Sequence, residues 1–292
     1  RPSMGKTAFI LSMIRNMAVD HKIPVAMFSL EMANLQLVNR LIVSETELDH
    51  EKIKNGKLST EEWAELEEKS RRLVDAPIYL DDTPALSIYE FRAKCRRLKQ
   101  KYDIQCVFVD YLQLMSAANA GSREQEISTI SRQLKAVAKE LNIPVIALSQ
   151  LNRSVDQNKD FRPQLSNLRE SGAIEQDADL VCFIHRPEYY KITQDEEGNS
   201  LVNIAEIIVA KHRNGAVGDV RLHFEKKFAK FSDLLDSIPF TNNIEAFEKS
   251  SEIKTFSSKM NEEIPTFSSS TTFGGNFSST PASPFGSNDA PF

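Results

Sequence analysis

The chain has 292 residues, 41% hydrophobic and 26% charged, an ordinary globular composition long enough for one large domain or two small ones. The formal net charge of -5 at pH 7 excludes a bulk polycation, so any nucleic-acid site must be a local positive groove. No apolar run reaches the roughly 20 residues that span a bilayer, and the opening residues carry no secretory pattern. Cys95, Cys106 and Cys182 form no Cys-x-x-Cys pair and read as reduced, buried thiols of a cytoplasmic protein.

The chain opens RPSMGKTAF, and the run TAFILSMIRNMA predicts a helix with Phe9, Met13 and Met17 on one face. IPVAMFSL (23–30) is nearly continuous in apolar residues, as expected of a strand buried on both faces. STEEWAEL starts a helix with Ser59 and Glu62 spaced as a capping box, and SIYE repeats that signal at Ser87 and Glu90. Phe91, Cys95, Leu98 and Tyr102 then mark one helical face. IQCVFVDYLQL (104–114) is a buried strand ending in Asp110, and Ile127, Ile130, Leu134, Val137 and Leu141 line the next helix. IPVIALSQ (143–150) and ADLVCFI (178–184) read as further strands, and 203–224 as a hairpin around a Gly-bearing turn. The alternation predicts an α/β domain over 1–240: a mostly parallel sheet flanked by helices, with an antiparallel hairpin. Residues 241–292, rich in Ser, Thr, Gly, Asn, Pro and isolated Phe, read as a disordered tail.

Met4-Gly5-Lys6-Thr7 matches the end of a phosphate-binding loop, whose full pattern needs a small residue one place ahead of Arg1. A helix N-terminus suits phosphate. Lys6 would then reach the phosphates and Thr7 would ligate Mg²⁺. A Gly-Lys-Thr that merely starts a surface helix fits the tetrapeptide equally well. Asp110 ends a buried strand where such a site needs an acid for the metal shell, unless it simply terminates the strand. Glu31 in FSLEM is a candidate base for an attacking water, and Gln150 in ALSQLNR a candidate γ-phosphate sensor. The alternatives are a solvated acid and a polar strand cap. These side chains fall at strand carboxyl ends, where open α/β sheets bind ligands. Lys211 and Arg213, two apart on a strand, share a face. They form either a phosphate clamp or a pair of solvated cations guarding an edge. NRSVDQNKDFRPQLSNLRESG (152–172) is a long, weakly positive loop suited to phosphate contacts.

RPSMGKTAF, FSLEM, VFVDYLQLM, REQEISTISRQLKAVAKEL, PVIALSQLNR, RPQLSNLRESGAIEQDAD and AKHRNGAVG, in this order, resemble the motor domain of a DnaB-type replicative DNA helicase over about residues 1–232. The resemblance implies a RecA-like fold, a homohexameric ring, ATP and Mg²⁺, 5′–3′ movement on single-stranded DNA, and primase and loader partners. Other RecA-like rings of recombinase or clock type, or a non-catalytic ring scaffold, are the alternatives. It places Arg1, Pro2, Ser3, Met4, Gly5, Lys6 and Thr7 on nucleotide, with Thr7 and Asp110 on magnesium. Glu31 falls on the hydrolytic water and Gln150 on the γ-phosphate. Lys211 and Arg213 reach a neighbour's ATP, and Arg169, Glu170 and Gly172 grip DNA. His212 and Ala216 stand where the family often has Gln and Pro. The resemblance also implies more chain before Arg1, including a strand feeding the loop from inside the sheet. The terminal SNDAPF is similar to the partner-recruiting tips of single-stranded DNA-binding proteins, which would make Phe292 a docking residue; the alternatives are a tail that only solubilises, and weak multivalent contacts through Phe256, Phe267, Phe273, Phe277 and Phe285.

Overall fold

The computed structural model describes residues 4–117, 121–152, 155 and 161–234, the side chains of 169–171 excepted. The expected tail, 241–292, and its terminal Phe292 lie outside the described residues. The strands are β1 (Val25–Ser29), β2 (Ile78–Asp81), β3 (Cys106–Asp110), β4 (Val145–Ala147), β5 (Leu180–His185), β6 (Ile204–His212), β7 (Gly218–Glu225) and β8 (Lys230–Ser232). The helices are α1 (Lys6–Arg15), α2 (Asn34–Thr46), α3 (His50–Asn55), α4 (Thr60–Val74), α5 (Ile88–Tyr102), α6 (Arg123–Leu141) and α7 (Gly172–Asp177).

A parallel sheet has the order β2-β1-β3-β4, and an antiparallel sheet the order β5-β6-β7-β8. The antiparallel part is therefore larger than a hairpin. β5 runs antiparallel to β6, and β8 adds a further strand beyond β7. β4 and β5 end their sheets, each with a strand on one side only among the described residues.

β1 and β3 are fully buried because alternate residues feed two cores. Ala26, Phe28, Val107 and Val109 pack against Phe91 and Cys95 of α5 and Ile127, Ile130 and Val137 of α6. Val25, Met27, Cys106 and Phe108 pack against Ile10 and Ile14 of α1 and Leu37 and Leu41 of α2. Burying each of these large side chains contributes about 1.5–3 kcal/mol relative to exposure. Ser59 accepts the Glu62 N–H at 3.2 Å and Glu62 answers to the Ser59 N–H at 2.9 Å, completing the box that starts α4.

Three further expectations need correction. α1 does not bury a single Phe9–Met13–Met17 face. Its deepest residues are Ala8, Ile10, Leu11 and Ile14, because the helix lies between the two sheets. Ile10 and Ile14 meet the parallel sheet, while Phe9 meets Phe231 edge-on at 5.3 Å. β4 is shorter than 143–150, because β3 stops at Asp110 and turns into the 3-10 turn Leu112–Leu114, leaving no strand beside residues 149–150. Cys182 is exposed, on the alternating face of β5 that also exposes Leu180, whereas Cys95 and Cys106 are buried. Burial pushes both buried thiols up, Cys106 to about 12.

Candidate phosphate and metal site

The register of β1 and β3 sets Ser29 beside Asp110 at the carboxyl end of the parallel sheet. α1 starts at that end. Gly5, its N-cap, has φ 91°, a left-handed conformation that strains a side chain. A β-carbon there would also lie 3.2 Å from the Phe231 ring. The first turn of α1 carries no acidic residue, so its unpaired N–H groups present partial positive charge.

Thr7 Oγ1 donates to Asp110 Oδ2 at 2.7 Å. Asp110 is 1% exposed, and its Oδ1 is buried with no hydrogen-bond partner. Burial pushes the carboxyl above its ordinary 3.8; the Thr7 bond opposes, the Glu31 charge reinforces, and the Lys6 and Arg40 charges oppose. A buried polar atom left unpaired costs about 1–3 kcal/mol. A hydroxyl and a carboxylate with one open oxygen form the oxygen donor set that hard divalent cations select, so these residues fit Mg²⁺.

Lys6 sits beside them. Burial lowers its ammonium below the ordinary 10.5, against the charges of Asp110 and Glu31. Its Nζ lies 5.0 Å from the centroid of the Tyr111 ring. Glu31 is exposed, on a turn with clear local causes. The Leu30 N–H donates to the Asp110 carbonyl at 2.7 Å. Buried Ser29 donates to the Met32 carbonyl at 2.8 Å and accepts the Met32 N–H at 3.2 Å. The short turn so closed projects Glu31 outward, near enough for its charge to act on both Lys6 and Asp110.

Gln150 is exposed beyond β4, at the same end of the sheet. Lys211 and Arg213 do not join this cluster. Although β6 ends at His212, both side chains turn to one place. Lys211 Nζ donates to the carbonyls of Glu175 and Gln176, and Arg213 to the Gln176 carbonyl and to Asp179 Oδ1 at 3.2 Å. The unpaired carbonyls at the end of α7 attract cations. A bulge between Val181 and Cys182 leaves Ala210 without a cross-strand partner just before Lys211. His212 bonds the Ala216 carbonyl at 3.3 Å across the turn.

Leu165–Ser171 forms 3-10 turns leading into α7 at Gly172, where a β-carbon would meet open space. Arg1, Pro2 and Ser3, and the side chains of Arg169 and Glu170, lie outside the described residues. Phe161 stacks on Tyr190 at 4.5 Å, and Arg162 pairs with Glu206 at 2.6 Å and with Asp219. Arg162 therefore anchors the stem of the loop to the antiparallel sheet.

Sequence reasoning missed Arg40 of α2, whose charge acts on Asp110, and Tyr111, whose ring lies under Lys6. The position directly after Asp110 was the available signal for Tyr111, and none pointed to Arg40. It also missed Asp179, which holds Arg213 through a contact between residues far apart in sequence.

The C-terminal domain of DnaB-like helicases matches residues 1–233 as a family. The chain is 50% identical over 236 residues to the replicative DNA helicase DnaB of Geobacillus stearothermophilus, covering 80% of this chain and 51% of that protein. It is 48% identical over 236 residues to the replicative DNA helicase DnaC of Bacillus subtilis (strain 168), with coverage of 80% and 51%. The chain thus spans about half the length of the curated relatives it matches. A solved ATPase domain is matched with TM-score 0.75 and 42% identity, over 80% of this chain and 82% of that one. A solved DnaB-like replicative helicase, described with its interactions with primase, is matched with TM-score 0.74 and 42% identity, over 80% and 56%.

Proposed function

Because the chain belongs to the family of DnaB-like helicase C-terminal domains, we propose that it is the ATP-driven motor of a replicative DNA helicase. The observation that carries this reading is the meeting of Lys6, the Thr7–Asp110 pair and Glu31 at the N-terminus of α1. Phosphoryl transfer asks the protein mainly for positioning and charge stabilisation, and those are what these side chains offer. The first turn of α1 and Lys6 bind the phosphates. Thr7 and Asp110 would hold Mg²⁺, which supplies further charge neutralisation. Glu31 accepts a hydrogen bond from the attacking water and orients it. Gln150 senses the γ-phosphate.

Lys211 and Arg213 serve a neighbouring protomer's nucleotide in a homohexameric ring. Their location away from Lys6 in their own protomer supports this assignment. Exposed ion pairs such as Arg213–Asp179 are worth about 0–1 kcal/mol. The bond to the Gln176 carbonyl adds about 1.5–3 kcal/mol, while an arginine finger supplies about 10³–10⁵ in rate, or about 4–7 kcal/mol, so its catalytic contact returns at least as much as releasing Arg213 costs. Arg169, Glu170 and Gly172 contact single-stranded DNA, and the anchored Arg162 steadies that loop. The same reading includes 5′–3′ movement, primase and loader partners, and action in the cytoplasm. Family membership favours it over a recombinase, a clock-type ring or an inert scaffold.

The test is ATP-dependent unwinding of a forked duplex by the intact protein, with Lys6→Ala as control. Unwinding lost in Lys6→Ala is the expected result. Strand pairing without unwinding, or no ATP turnover, would overturn the reading.

A further inference from the structure

The Gln113 side chain replaces a missing stretch of β-strand. After β3 ends, the β3–β4 ladder continues through the Leu148 N–H to the Val109 carbonyl at 2.9 Å and the Leu112 N–H to the Leu148 carbonyl at 3.0 Å. The backbone at 113 then belongs to the 3-10 turn and cannot pair with residue 150. The Gln113 amide does so instead. Its Oε1 accepts the Gln150 N–H at 3.2 Å, and its Nε2 donates to the Gln150 carbonyl at 3.3 Å and to Ser149 Oγ at 2.8 Å. An amide carries a donor and an acceptor side by side, as a strand backbone does. Gln113 is held in turn by Arg123, the first residue of α6, which donates to the Gln113 carbonyl and pairs with Glu126.

We propose that Gln113 is a positioning residue that fixes the backbone of Gln150, so that the exposed Gln150 side chain is presented at the reacting phosphate with little freedom. The inference rests on the sensor role given to Gln150 above. It commits further to which group sets that sensor. A two-point clamp on the backbone fixes the origin and direction of the side chain it carries, and misplacing a catalytic group by about 1 Å costs roughly 10² in rate.

The test compares Gln113→Met, Gln150→Ala and the double variant in the intact protein, measuring kcat and KM for ATP with saturating single-stranded DNA. Met keeps the length and removes both hydrogen-bonding groups. Gln113→Met should lower kcat by roughly 10- to 10²-fold with KM changed less than about threefold, and add nothing in the Gln150→Ala background. A merely structural residue would shift KM or thermal stability as well and would act additively. If Gln113→Met does not fold, Gln113→Glu serves, since it keeps the shape and one acceptor but replaces the donor with a carboxylate oxygen that repels the Gln150 carbonyl, and a kcat loss at least as large is expected. A normal kcat in Gln113→Met, or full additivity with Gln150→Ala, overturns the positioning role while leaving the sensor in place. A normal kcat in Gln150→Ala overturns the sensor reading and the positioning role with it.

Discussion

Thr7 Oγ1 and Asp110 Oδ2 are joined by a 2.7 Å hydrogen bond across 103 positions of sequence. That bond uses one carboxylate oxygen and leaves the other buried and unpaired. Asp110→Asn should therefore separate function from stability. The Mg²⁺-dependent gain in nucleotide affinity should disappear in titration calorimetry, because an amide is a weak ligand for a hard cation. The melting temperature without nucleotide should hold or rise, because a neutral amide avoids the desolvation that raises the Asp110 pKa. A lower melting temperature with intact Mg²⁺ dependence would contradict the assignment.

The same carboxylate gives two pH trends of opposite sign. Its folded pKa lies above 3.8, so the folded state holds that proton more tightly than the unfolded chain. As pH falls towards the raised value, protonation stabilises the fold and competes with the metal. Relative to Asp110→Asn, the unvaried protein should gain thermal stability and lose Mg²⁺-nucleotide affinity over this window, both beginning above pH 3.8. Calorimetry across acid pH on both proteins checks this. Identical profiles would show that Asp110 is not the titrating group.

Ser29 should matter for turnover more than for folding. It is buried and closes the Glu31 turn with two hydrogen bonds to Met32. Ser29→Ala should cost about 1–2 kcal/mol in urea denaturation and lower kcat by roughly 10-fold or more, with nucleotide affinity little changed. Unchanged kcat would mean that the turn holds Glu31 without its hydroxyl.

Away from the site, Glu45 ties α1 to α4. It accepts from Arg15 Nε at 2.6 Å and from Arg72 at 2.8 Å, and Arg72 also reaches Asp20 at 2.8 Å. Arg72 is half exposed, which limits the pair's worth to well below that of a fully buried one. Glu45→Ala should destabilise by about 2 kcal/mol and leave nucleotide binding unaltered. An unchanged urea midpoint would show that the network contributes nothing.

The two central strands were legible because full burial demands apolar runs, and VAMF and CVFV are such runs, each closed by one polar residue, Ser29 and Asp110. Lys6, Thr7, Asp110 and Glu31 were legible because strand and helix ends place them together. The four-stranded antiparallel sheet was read only as a hairpin. β8 is a short strand, Lys230–Ser232, too brief to carry a period. The double-sided burial of α1 was missed because its second cover, Phe224 and Phe231, comes from more than 200 residues along the chain. Gln113 gave no signal either, since its role comes from where the β3–β4 ladder fails.

We propose that ATP is hydrolysed at a site shared between protomers, with Lys6 on one side and Arg213 on the other. Arg213→Ala and Lys6→Ala proteins should each lose turnover, by about 10³ or more for Arg213→Ala. The measurement is ATP turnover of the two variants mixed and reassembled, with assembly verified. Turnover should recover in the mixture, because some interfaces then pair an intact Lys6 with an intact Arg213. A mixed assembly with no more turnover than its separate components would contradict it.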